Sequence, residues 1–155
     1  MIHTRLWHID LIPYLPKGQL LAQWRELNSI FKKQDKHILI NYVYGYPKSK
    51  LDIYAKYVMK EIYERDYKFN ITNYANYFFG KNCIVEQIED DLKYEFWDED
   101  LGYSNPFNEH NNEYLTICYW NLREKYIRGQ KDFTKEVWEK LDKFYKERIK
   151  HEIQS

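Results

Sequence analysis

Apolar positions along this chain recur at helical spacing, in stretches separated by polar or proline-bearing breaks. Leu20, Trp24, Leu27 and Phe31 step by four, three and four, so Gln19–Lys33 predicts a helix with one apolar stripe. Pro47 opens a second helix, a favoured first-turn position. Its Leu51, Tyr54, Ala55, Val58 and Ile62 share one face, with Lys56 and Lys60 outward. Thr72–Phe79 reads as a short helix stopped at Gly80. Glu109–Arg128 carries Leu115, Cys118, Leu122 and Tyr126 on one face and closes at Gly129. Asp132–Ile153 follows, with Phe133, Val137, Leu141 and Phe144 as its stripe.

The stretches between are less periodic. Pro13 and Pro16 bound Arg5–Leu15 and keep it extended or turned. His37–Tyr46 is rich in β-branched and aromatic residues, yet no second strand offers itself for pairing. It is expected to be an extended, buried connection. Residues 86–100 are acidic, with Phe96 and Trp97 expected to pin them to the body, and Tyr103–Asn108 reads as a loop around Asn105-Pro106. The expected architecture is all-α: one compact domain over 1–155, a bundle of four to five helices with long connecting loops.

Composition narrows the class. At 44% hydrophobic and 19% aromatic the chain buries a real core and is not disordered. Cys83 and Cys118 lack CxxC spacing, which gives neither a disulfide framework nor a cysteine zinc site. No apolar run approaches membrane-spanning length and no apolar signal core opens the chain, so a soluble, cytoplasmic, monomeric protein is expected. The formal charge is zero but unevenly spread. Residues 1–80 hold 12 Lys/Arg against 7 Asp/Glu, whereas 81–112 hold 2 against 9. A basic face outside the acidic segment is compatible with a phosphate backbone as partner.

Candidate chemistry is sparse. Arg25 and Glu26 flank a strip of small residues, Ala22 and Ser29, on the face opposite the apolar stripe. Most such pairs are ordinary solvated charges. His8, His37 and His110, with Glu26 or Glu109, offer nitrogen and oxygen donors for a metal-dependent hydrolase. However, none has the i, i+4 spacing of a helical metal motif, and hydrogen-bonded structural histidines are the plainer reading. Glycine-rich phosphate loops, GxSxG elbows and zinc-finger spacings do not occur.

Three blocks together carry a resemblance. Thr4-Arg5 leads into Leu20–Leu27, a Leu-x-Ala-x-aromatic-Arg-Glu-Leu segment. Lys36-His37 and Asn41–Tyr46 precede a helix ending Glu64-Arg65-Asp66-Tyr67-Lys68. Glu109-His110 is followed by Leu122-Arg123-Glu124-Lys125. This pattern, in patches over residues 4–128, resembles the pyrimidine-dimer DNA glycosylases of the phage endonuclease V type, and more closely a bacterial branch of that family. The helix at 132–153 goes beyond it. The resemblance implies a repair enzyme on double-stranded DNA that excises a base and then cleaves the strand as an AP lyase, with no metal or organic cofactor. Glu26 matches the family's essential carboxylate. Arg5, Arg25, Lys125 and His37 fall at or beside positions that contact DNA.

The nucleophile in that family is the α-amine of a threonine exposed by removal of the initiator methionine. Such an amine, with a pKa of roughly 7.7–8.0, retains a useful neutral fraction at physiological pH. Thr4 occupies the family position but is fourth in this chain, behind Ile2, so the free amine as written is that of Met1. Three alternatives stand: the Met1 amine reaches Glu26, processing exposes Thr4, or imine chemistry has been lost. Asn121 and Ser29 also replace basic residues of the family, which weakens the expected grip on phosphates. A non-catalytic DNA- or protein-binding module on the same scaffold is the alternative function.

Overall fold

A computed structural model describes residues 5–34, 36–97, 101 and 104–154, with the side chains of the last two left aside. A 3-10 turn at Ile9–Tyr14 leads into α1 (Lys17–Lys33), and a second 3-10 turn at Asn41–Gly45 leads into α2 (Lys48–Glu64). There follow α3 (Thr72–Phe79), α4 (Val85–Phe96), α5 (Asn112–Ile127) and α6 (Lys135–Gln154). The described residues contain no strand, so the all-α class holds, with six α-helices in place of four or five. The sixth comes from the acidic stretch, where Leu92 and Phe96, four apart, are buried as a narrow apolar edge. Trp97 does not pin that segment: it is 81% exposed, and Leu92 and Phe96 anchor it, Phe96 against Tyr63.

The α1 stripe is buried as its spacing dictates, and the α1 end is closed by an aromatic cluster. Trp24 meets Phe69 edge-on and donates its indole N–H to the Asn70 carbonyl at 3.2 Å, while Phe31 packs against Tyr74, Tyr77 and Phe78. Such edge contacts add about 0.5–1.5 kcal/mol each beyond the area they bury. α2 buries the predicted Leu51, Tyr54, Ala55, Val58 and Ile62, but its lysines are not simply outward. Lys60 is buried and reaches Glu64 at 3.7 Å, and Lys56 lies within 3.7 Å of Asp52 and 3.4 Å of Glu95, tying α2 to α4. Long lysine stems can cover apolar surface while the ammonium finds a carboxylate at the rim.

The stretch 37–46 is neither strand nor extended. Ile40 and Val43 are buried, while Asn41–Gly45 winds into the second 3-10 turn. With no sheet edge to receive them, its backbone groups bond locally: the N–H groups of Ile40 and Asn41 both donate to the His37 carbonyl at 3.0 Å.

α5 and α6 pair through aromatic contacts. Tyr119 stacks on Tyr145 at 3.8 Å and donates to Asp142 at 2.5 Å, and Tyr126 stacks on Trp138 at 5.2 Å. α6 also reaches the first 3-10 turn, through Tyr14 on Phe144 and Arg148 on Asp10 at 2.8 Å. The half-exposed ion pair adds little beside the ring contacts. Asn111 caps α5 by accepting the Tyr114 N–H at 2.9 Å, and Gly129, at a φ of +77° that favours glycine, turns the chain at its end.

Candidate active site

The site is built around a polar line on the buried side of α1. Gln23 and Glu26, three residues apart, lie on one face of the helix, and both are covered. Gln23 ties down the N-terminal segment. Its side-chain oxygen accepts the Trp7 N–H at 2.7 Å and the Tyr54 hydroxyl at 2.9 Å, and its amide donates to the Arg5 carbonyl at 3.1 Å. On the other side of that segment the Tyr114 hydroxyl of α5 donates to the Leu6 carbonyl at 2.5 Å, and the Tyr54 hydroxyl also lies 2.6 Å from the Trp7 carbonyl. Residues 5–7 are thus held between α1 and α5, tied to Gln23 three residues before Glu26.

Glu26 is 6% exposed, so it does not lie on a solvated polar face as its wheel position suggests. Its carboxylate meets an imidazole: His37 Nε2 lies 3.0 Å from Glu26 Oε1, and the histidine side chain is 16% exposed. The acid is covered, with the partly open imidazole of His37 as its hydrogen-bonding neighbour. His37 is therefore a carboxylate partner, and any contact it makes to DNA is made from beside Glu26. Arg25, next in sequence, is exposed as expected.

On α5, Tyr114, Cys118, Asn121 and Lys125 follow steps of four, three and four, so they form one stripe. Tyr114 and Cys118 both feel the charge of Arg5, which sets the upper end of that stripe beside the 5–7 segment. The lower end lies by the start of α1, where Gln19 donates to Gln130 at 2.8 Å. Lys125 is half-buried along this line. Glu26 and His37 are thus in contact, and Gln23 holds the Arg5 carbonyl three residues away along α1, while Arg25 lies exposed on α1 and Lys125 sits on α5. Met1 and Thr4, the two candidate nucleophiles, lie outside the described residues. Gln23 and Tyr114 were missed by a search for charged chemistry. Their signal, a buried glutamine on an apolar helix face, exists only once the face is known to be covered.

The three candidate histidines, His8, His37 and His110, divide between two places. His8 and His110 stack at 5.7 Å inside the core, each at most 2% exposed, with Tyr42 Oη 2.6 Å from His110 Nε2 and the Asp10 N–H donating to His8 Nδ1 at 3.1 Å. His37 is at Glu26, and Glu109 is held at the surface by the Tyr46 hydroxyl at 2.6 Å. No three His, Cys, Asp or Glu side chains converge as a metal site among the described residues. Burial and the neighbouring His8 push His110 down to about 3, and burial lowers His8 as well. Both are therefore neutral in the fold and protonated when unfolded below about pH 6.5. The unfolded state then binds more protons, so stability falls as the pH drops from 6.5 toward 3. Urea titrations at pH 6.5 and 5 should differ by about 1.6 kcal/mol on account of His110, and His110→Phe should flatten that slope.

Two surface depressions, of about 570 and 450 Å³, contain none of Arg25, Glu26 or His37.

A helical scaffold in which Gln23 of α1 holds residues 5–7, and the same helix carries a covered carboxylate at Glu26, defines the class: a small all-α domain. Residues 4–74 match the family model described as pyrimidine dimer DNA glycosylase, Pyr_excise. That stretch, a little under half of the chain, is similar to this family and takes in α1, α2 and the start of α3. No curated protein and no solved structure matches the chain. No described helix is long and apolar enough to cross a membrane.

Proposed function

We propose that the protein excises damaged pyrimidines from double-stranded DNA and then cleaves the strand through an imine formed on its N-terminal amine. The observation that carries this reading is the tether of residues 5–7 by Gln23, within a turn of Glu26. The amine in question is that of Met1, or of Thr4 after processing. Its lone pair attacks C1′ of the sugar and the base departs with the glycosidic electron pair. The sugar ring opens as the nitrogen–carbon bond becomes an imine. Glu26 stabilises the positive charge that develops on the sugar and shuttles protons, including the one lost from C2′ when the 3′ C–O bond breaks.

His37 keeps the Glu26 carboxylate oriented: its Nε2–H donates to Oε1 when neutral, and it forms an ion pair with it when charged. Arg5, Arg25 and Lys125 supply the positive charge that meets backbone phosphates.

Incision of a supercoiled plasmid tests the reading. Ultraviolet-irradiated DNA should be nicked in the presence of a chelator while undamaged DNA is left intact, and the product should carry the unsaturated aldehyde end of elimination. Salt-dependent binding without any nick would instead assign the scaffold a non-catalytic role.

A further inference from the structure

Ile38 is the most exposed large hydrophobic side chain among the described residues, at 88%. Single exposed apolar residues are ordinary, so exposure alone assigns nothing. Its setting is less ordinary. The backbone on either side is fixed, because the His37 carbonyl accepts both the Ile40 and Asn41 N–H groups at 3.0 Å and the Ile40 side chain is fully buried. The neighbour before it, His37, is the residue whose ring touches Glu26 at 3.0 Å. A stiff, β-branched side chain therefore stands out from a pinned turn, one residue from the imidazole that meets the carboxylate. Its surroundings are basic: residues 32–50 hold five lysines against one aspartate, and Lys32, Lys33, Lys36 and Arg25 are all exposed.

We propose that Ile38 is an intercalating wedge that enters the base stack of duplex DNA beside the nucleotide drawn toward Glu26. Aliphatic side chains inserted at a base step unstack it and kink the duplex, while the flanking lysines meet the phosphates on either side. The placement of the wedge at the reacting nucleotide rests on the role given to Glu26. Its insertion into DNA does not.

The test uses the full chain and a duplex carrying 2-aminopurine next to a reduced, uncleavable abasic site. Binding by the unaltered protein should raise the 2-aminopurine fluorescence. Ile38→Ala should lose most of that rise and cut lesion incision roughly tenfold or more, since extrusion then lacks its support. Its salt dependence of binding should be unchanged, and Ile38→Leu should restore the signal. Glu26→Gln should keep the rise while its incision of a cleavable abasic site falls by about 10²–10⁴-fold. A fluorescence rise that depends on Ile38 in a protein that cuts no DNA upholds the wedge and sinks the lyase reading. No rise with the unaltered protein, or an equal rise and equal incision with Ile38→Ala, overturns the wedge.

Discussion

Glu26→Gln is expected to lower the rate of strand incision at an abasic site by about 10²–10⁴-fold, the range supplied by a positioned acid–base group. The substitution keeps the shape of the side chain and an oxygen that can still accept from His37 Nε2, now 3.0 Å from Oε1. It removes the negative charge that opposes the developing positive charge on the sugar. Folding stability should therefore change little, because a buried carboxylate is replaced by a neutral hydrogen-bonding group. Glu26→Ala is a poorer probe, since it strands a partly buried imidazole. The measurement is single-turnover incision alongside thermal unfolding. A Glu26→Gln protein that cuts at the original rate would remove the carboxylate from the chemistry.

Gln23→Ala should be the most damaging polar substitution in the fold. Gln23 is fully buried and accepts from the Trp7 N–H and the Tyr54 hydroxyl while donating to the Arg5 carbonyl. Tyr54 keeps an alternative acceptor, the Trp7 carbonyl at 2.6 Å, so its hydroxyl is not orphaned. The Trp7 N–H has no such substitute among the bonds described and is left unpaired in the interior. That loss costs about 1–3 kcal/mol, and the vacated volume adds to it. A total near 3 kcal/mol lowers the melting temperature by roughly 6–12 °C in a chain of this size. Activity should fall further than stability alone explains, because the same side chain fixes where the N-terminal segment runs. Activity assayed well below the melting temperature separates the two effects. A stable Gln23→Ala protein with full incision would mean the arm needs no such tether.

The apolar stripes of α1, α2, α5 and α6 were readable because helical spacing and burial agree at Leu20, Leu27, Leu51, Tyr54, Leu115 and Leu141. What periodicity could not show is which polar residues a neighbouring segment covers. Gln19, Gln23 and Glu26 all lie under such cover, meeting Gln130, residues 5–7 and His37 in turn, and nothing local to α1 signals it. The His37–Glu26 pair joins residues eleven apart across a turn, a contact set by tertiary packing. Strand propensity at 37–46 failed for a related reason, since branched and aromatic residues report a half-buried surface rather than a sheet. The amphipathic signal of α5 is weakened because Ile117, Trp120 and Ile127 face outward while Leu115, Cys118 and Leu122 face in. The site was legible at Arg25 and Glu26 only through the resemblance, because an Arg-Glu dipeptide on a helix carries no chemistry of its own.

Borohydride reduction of the protein incubated with abasic-site DNA, followed by mass mapping of the adduct, tests the central claim most directly. The account predicts a covalent adduct in the unaltered protein, carried by the amine of the mature N-terminal residue. An adduct on Lys36, Lys125 or another internal lysine would contradict it, as would incision that leaves nothing to trap.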